Sequence, residues 1–328
     1  MASIPKRRLF GNTLTTVIGF GGGASAGDAG GYAYGAVSES EAIATLEHAY
    51  AKGIRLFDTA PCYGFGASEQ RLGKALASHS AIRSQLVIVS KGGVTWKENK
   101  RLYTDNSPGN MRRMLEQSLK DLCTDYLDLY LIHWPDHRTP VEDTMETLMR
   151  AKEEGLIRAI GASNFGVEWF NRAQKVGPIE VLQNEFNAFN QHNAANLFPT
   201  VREKNLGFMS YGTIAKGLLA GTVKADRQYE VTDIRSKFAF VKRQAQMLDS
   251  EIKEFLDIAR ELSTSGAALA AAWVLSHNEV STALCGSKDP AQVDDVLRAL
   301  QFELSDEIKA RISRISERAT PRFLEAMK

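Results

Sequence analysis

Cysteine, surplus charge and long apolar runs are all scarce in this 328-residue chain, and each shortage closes off a class of function. Its three cysteines, Cys62, Cys123 and Cys285, are odd in number, far apart and without metal-ligand spacing. Neither a disulfide framework nor a zinc site is expected, and no metal is assigned. No apolar run approaches the ~20 residues of a membrane-spanning helix. Lys and Arg total 40 against 39 Asp and Glu, a net charge of +1, so nothing draws the chain to nucleic acid or acidic membranes. The basic start at Lys6-Arg7-Arg8 runs into Gly11, Asn12 and Thr13 rather than an apolar signal stretch, and the expected location is cytoplasmic. Gly21–Gly35 is rich in glycine but lacks G-x-G-x-x-G spacing on a strand-turn-helix, so it reads as a loop rather than a dinucleotide fingerprint. No repeat and no low-complexity linker divides the chain, which points to one domain over residues 1–328.

What is present is alternation. Eight short β-branched or aliphatic runs read as strands: Thr16–Phe20, Ile54–Thr59, Leu86–Lys91, Leu127–His133, Ala159–Ser163, Val181–Glu185, Gly207–Tyr211 and Thr282–Cys285. Between them Glu39–Lys52, Ser68–Ala77, Met111–Leu122, Val141–Glu154, Val167–Lys175, Ala194–Lys204 and Ala267–His277 carry apolar residues at helical intervals. Pro108 near a helix start and Gly53 and Gly155 after helix ends agree with those bounds. Eight βα units of this kind give an α/β fold, a (β/α)8 TIM barrel, with apolar strands buried on both faces. Two segments break the alternation, Lys216–Arg243 and the helical Gln246–Leu262, and are read as an insertion after strand 7 that clamps a ligand at the barrel mouth.

Barrel interiors are apolar, so a polar residue at the C-terminal end of a strand signals the catalytic face. Asp58, Lys91 and His133 end the second, third and fourth strands, and Tyr63 follows Asp58 by five residues. Singly, each has an ordinary structural explanation: a cap, a snorkelling lysine, a core imidazole, a packed ring. Together they set an acid, a base, an imidazole and a phenol round one pocket, which suits protonation of a carbonyl oxygen as hydride reaches the carbon. An ammonium beside a phenol lowers the phenol pKa, so Lys91 is expected to make Tyr63 more acidic, with Asp58 orienting Lys91.

Leu-Phe-Asp-Thr-Ala-Pro-Cys-Tyr-Gly, Val-Ser-Lys, Leu-Ile-His-Trp-Pro-Asp and Gly-Ala-Ser-Asn-Phe resemble the ordered signature motifs of the aldo-keto reductase superfamily, from about Arg8 to about Leu304. The resemblance implies an NADP-dependent oxidoreductase (aldehyde reductase or alcohol dehydrogenase) with Asp58, Tyr63, Lys91 and His133 as catalytic tetrad and Tyr63 as general acid. It also implies that Asp58, Ser163, Asn164 and Gln183 face the nicotinamide end of the cofactor and that Tyr211 stacks on its ring. Gly22, Gly217 and Leu219 join the cofactor contacts, and Gly286, Ser287, Lys288, Gln292 and Asp295 form its adenosine end. Ser287 and Lys288 would meet a 2′-phosphate, which favours NADPH/NADP+ over NADH. The expected partners are a small carbonyl substrate and no nucleic acid or membrane, in a monomer or small homo-oligomer.

The sequence departs from the family pattern where Gly21-Gly22-Gly23-Ala24 offers no bulky side chain to the substrate, where Val296 replaces an asparagine, and at Cys285 before Gly286. Specificity is expected from the loops Gly23–Gly35, Gly92–Asn106, Trp134–Thr139 and Ala215–Val241. Two other readings stay open: a Schiff-base aldolase or lyase using Lys91, and a non-catalytic NADPH-binding redox-sensing module.

Overall fold

The computed structural model describes residues 3–27, 30–77 and 80–328; positions 28 and 29 of the Gly-rich loop lie outside them. Eight parallel strands close a barrel: β1 (Ile18–Gly21), β2 (Leu56–Asp58), β3 (Val87–Gly92), β4 (Leu127–Ile132), β5 (Ile157–Ser163), β6 (Val181–Glu185), β7 (Gly207–Tyr211) and β8 (Thr282–Cys285). Each pairs with its chain neighbour, and β8 returns to β1 through Ala283 opposite Ile18. The (β/α)8 reading therefore holds. Around it lie α1 (Glu39–Ala51), α2 (Ala67–Ala77), α3 (Pro108–Asp121), α4 (Val141–Glu153), α5 (Val167–Ala173) and α6 (His192–Glu203). They are followed by α7 (Ile234–Lys237), α8 (Ala239–Met247), α9 (Asp249–Glu261), α10 (Gly266–Leu275), α11 (Pro290–Leu297) and α12 (Asp306–Ala326).

Alternation along the strands divides the apolar residues in two. Leu56, Val87, Val89, Leu129, Leu131, Ala159, Val181, Met209 and Leu284 point inward and fill the barrel. The outward set packs against the helices in a larger layer that includes Phe20, Phe57, Ile88 and Phe208. Helix ends are marked as the sequence dictates. Ser38 and Glu41 close a reciprocal capping box at α1, and Ser265, Asp289 and Ser305 cap α10, α11 and α12.

Several elements differ from the sequence reading. The first barrel strand begins at Ile18, because Thr13–Thr16 belongs to an antiparallel hairpin with Lys6–Phe10. This hairpin plugs the floor of the barrel with Leu9 and Phe10, and a Cβ at Gly207 would collide with the Leu9 carbonyl. The loop after β3 holds a second hairpin, Val94–Trp96 with Leu102–Thr104. Within the insertion the helical stretch breaks at Leu248, and α12 packs on α8 and α9.

Candidate active site

Above the apolar floor the inward positions turn polar: Asp58 follows Leu56, Lys91 follows Val89, and His133 follows Leu131. Lys91 is wholly buried, and its Nζ donates to Asp58 Oδ1 at 2.6 Å, to the Thr59 carbonyl at 2.9 Å and to the Tyr63 hydroxyl at 3.3 Å. An ammonium has three donors, and three acceptors meet them. The Schiff-base reading would require Lys91 to leave these three partners. Tyr63 is held in the turn after β2, its N–H on the Ala60 carbonyl at 3.0 Å, and its ring meets His133 edge-on with centroids 5.9 Å apart. Asp58, Lys91, Tyr63 and His133 thus form one contiguous cluster.

The electrostatics differ from expectation in one respect. Burial, with Asp58 adding to it, pushes the Tyr63 phenol well above its ordinary 10.0, rather than Lys91 drawing it down. The Lys91 ammonium is engaged by Asp58, whose own carboxyl burial raises against the pull of that ammonium. Burial, reinforced by Lys91, holds His133 well below its ordinary 6.5, so the imidazole is neutral.

Beside this cluster, Gln183 Nε2 donates to Asp58 Oδ2 at 2.7 Å and Ser163 Oγ lies 3.5 Å from Gln183 Oε1. Asn164 sits in the left-handed region at φ 61°, where its Nδ2 donates to the His133 carbonyl and to Ser163 Oγ, both at 3.0 Å. Its Oδ1 accepts from the Tyr211 hydroxyl at 2.7 Å. The hydroxyl, two carboxamides and phenol predicted from sequence are therefore contiguous with the tetrad.

The remaining predicted residues are spread over several segments. Gly22 opens the short turn after β1, and Gly286 closes on it: a Cβ there would lie 3.1 Å from Ala24 Cβ and 3.2 Å from the Gly21 carbonyl. Ser287 is buried and Lys288 half-buried, and burial together with the nearby Arg235 guanidinium pushes the Lys288 ammonium below its ordinary value. Gln292 is tied into the cap of α11 through Asp289 and the Lys288 N–H, while Asp295 pairs with Arg298 at 3.4 Å. Gly217 sits in a tight turn at φ 103°, and Leu219 is wholly buried in the outer core, apart from the other predicted contacts.

Sequence reasoning missed the residues that close this mouth. The Gly-rich loop folds back so that Tyr32 N–H donates to the Cys62 carbonyl at 3.1 Å, and a Cβ at Gly31 would collide with that carbonyl. Tyr34 lies against Gly23, and Tyr32 packs beside Ala60, Cys62 and Val94. The insertion is stitched to the same loop: Ile234 N–H donates to the Ala33 carbonyl at 2.8 Å, and Arg235, paired with Asp233 through bonds of 2.9 and 2.6 Å, reaches the Tyr34 carbonyl. Lys216 Nζ donates to Glu185 Oε1 at 3.0 Å. Glu185 was findable, since it ends β6 two residues after Gln183; the others depend on tertiary folding.

The Aldo/keto reductase family model matches residues 17–317. The chain belongs to the aldo/keto reductase family. It is 31% identical over 296 residues to the aldo-keto reductase YhdN of Bacillus subtilis, covering 88% of this chain and 87% of the relative. It is 30% identical to the NADH-specific methylglyoxal reductase of Escherichia coli, covering 80% and 84%. Among solved structures the glycerol dehydrogenase AKR11B4 from Gluconobacter oxydans has a TM-score of 0.84 at 30% identity, covering 98% of this chain and 97% of that one. As an aldo/keto reductase the chain is an oxidoreductase acting on small carbonyl compounds with a nicotinamide cofactor. No helix of the described residues is long and apolar enough to cross a membrane.

Proposed function

We propose that this aldo/keto reductase reduces aldehydes or ketones to alcohols with NADPH, Tyr63 delivering the proton to the carbonyl oxygen. The observation that carries the reading is the chain of contacts from Asp58 to Lys91 at 2.6 Å and from Lys91 to the Tyr63 hydroxyl at 3.3 Å, beside the neutral His133 ring. When bound, the nicotinamide supplies hydride to the carbonyl carbon. Tyr63 then transfers its proton to the oxygen, and Lys91 stabilises the phenolate left behind, more strongly than in water because the site is buried. Asp58 keeps Lys91 aimed at Tyr63, and His133 donates a hydrogen bond to the same oxygen. In the reverse direction the same groups accept the proton of an alcohol.

The donor set supports the cofactor assignment. Ser163, Asn164 and Gln183 offer both donors and acceptors to a carboxamide, and Tyr211 offers a ring face. At the other end Lys288, Arg235 and Arg227 lie near two carboxylates, Asp233 and Glu230, which leaves positive charge for a 2′-phosphate. This is the ground for NADPH, although the Escherichia coli relative is named NADH-specific. A panel of short aliphatic, aromatic and sugar-derived aldehydes, read as loss of NADPH absorbance, tests the reading. Cofactor binding without turnover of any member refutes it and leaves a binding module.

A further inference from the structure

We propose that the Cys62 thiol sets the tautomer of His133, so that Cys62 is a positioning residue for the imidazole that addresses the carbonyl oxygen. The inference rests on the role given to His133 above. Cys62 precedes Tyr63 in the turn after β2 and is wholly buried, with Sγ 3.7 Å from His133 Nδ1. Among the described residues no other group hydrogen-bonds the His133 ring.

A neutral imidazole carries one N–H and one lone pair, and whatever Nδ1 bonds to decides which nitrogen keeps the proton. The thiol is a weak donor and its sulfur a weak acceptor, but only the thiol proton can meet the Nδ1 lone pair of an Nε2–H imidazole. Burial pushes the Cys62 thiol up to about 12, so it stays S–H at neutral pH. With S–H donating to Nδ1, the proton of His133 resides on Nε2, the nitrogen remote from Cys62. A carbonyl oxygen only accepts, so it needs that Nε2–H; the opposite tautomer would present a lone pair and repel it. The edge-on packing of His133 against Tyr63, with an interplanar angle of 83°, leaves the ring plane fixed and the proton position as the remaining variable. Cys62 also packs with Ala60, Val94, Tyr32 and Tyr63, a duty that an aliphatic residue of similar size performs as well. The two roles are therefore separable by substitution.

The test is ¹⁵N NMR of histidine-labelled protein together with steady-state kinetics on Cys62→Val, which is aliphatic and about a methyl group larger, and Cys62→Ser, which keeps a donor. In the unsubstituted protein His133 is expected as the Nε2–H tautomer. Cys62→Val should show both tautomers and a kcat for carbonyl reduction lower by roughly tenfold to a hundredfold, the range found when the orienting partner of a metal-bound histidine is removed. Its Kd for NADPH should stay unchanged, and Cys62→Ser should restore one tautomer and most of kcat. Cys62→Val retaining pure Nε2–H would overturn the proposal, whether or not kcat falls, as would an Nδ1–H tautomer in the parent. If no carbonyl is reduced at all, the proposed function fails, while the tautomer shift still decides what Cys62 does.

Discussion

Gln183 donates its Nε2 proton to the carboxylate of Asp58 at 2.7 Å, so a residue assigned to the cofactor also braces the tetrad. Asp58 has two oxygens in a site that is 4% exposed, and Lys91 serves one while Gln183 serves the other. Gln183→Leu removes one donor at similar size. An unsatisfied buried acceptor costs about 1–3 kcal/mol, so the urea midpoint should fall accordingly. NADPH binding, followed by fluorescence, should weaken in the same variant. Unaltered stability and affinity would mean that Gln183 braces nothing.

The pH dependence follows from two groups working in opposite protonation states. Tyr63 is an acid only while protonated, and its folded pKa lies well above 10.0, so the active form persists through neutral and mildly alkaline pH. His133 is required neutral, and its folded pKa lies well below 6.5, so it does not charge until the solution is distinctly acid. The kcat for reduction should therefore be level between these limits, without the break near 6.5 that an ordinary histidine would give. Tyr63→Phe should lower kcat by about 10²–10⁴ with cofactor affinity near normal. Undiminished turnover in that variant would remove Tyr63 as the acid.

In the proposed reading, cofactor preference turns on Lys288. A charged hydrogen bond to phosphate is worth about 1.5–3 kcal/mol, so Lys288→Met should raise KM for NADPH roughly tenfold to a hundredfold. NADH lacks the 2′-phosphate, and its KM should barely move. Equal increases for both cofactors would show that Lys288 meets no such phosphate.

The barrel and the clustering of Asp58, Tyr63, Lys91 and His133 were legible in the sequence for one physical reason. Interior strand positions must be apolar, so Asp58, Lys91 and His133 stood out against Leu56, Val89 and Leu131. Strand ends were less legible. Thr13–Thr16 continues into β1 with only Val17 between, and nothing local shows that its partner is the adjacent hairpin strand. The mouth was least legible, because Tyr32, Tyr34 and Arg235 reach it by contacts between distant segments such as Ile234 with Ala33. The pKa of Tyr63 was misjudged because proximity to Lys91 was weighed without the burial that outweighs it.

A buried carboxyl outside the site gives a prediction about stability. Glu69 on α2 is wholly buried, with Oε1 accepting from the Ser90 hydroxyl at 2.6 Å. The Ser118 hydroxyl lies on the same carboxylate and also favours its ion. Burial raises the Glu69 carboxyl from 4.5 to about 7, against the hydrogen bonds from Ser90 and Ser118 that favour the ion. Between those values the folded protein holds a proton that the unfolded chain has released. Stability is thus fully present below 4.5 and declines as pH rises through 7, by at most roughly 3 kcal/mol for this group. Glu69→Gln keeps the acceptor for Ser90 and never ionises. In urea unfolding the variant should match the parent near pH 4.5 and exceed it near pH 8, so that the difference between them grows with pH. A constant difference across that range would mean that Glu69 is ionised in the fold at its ordinary pKa.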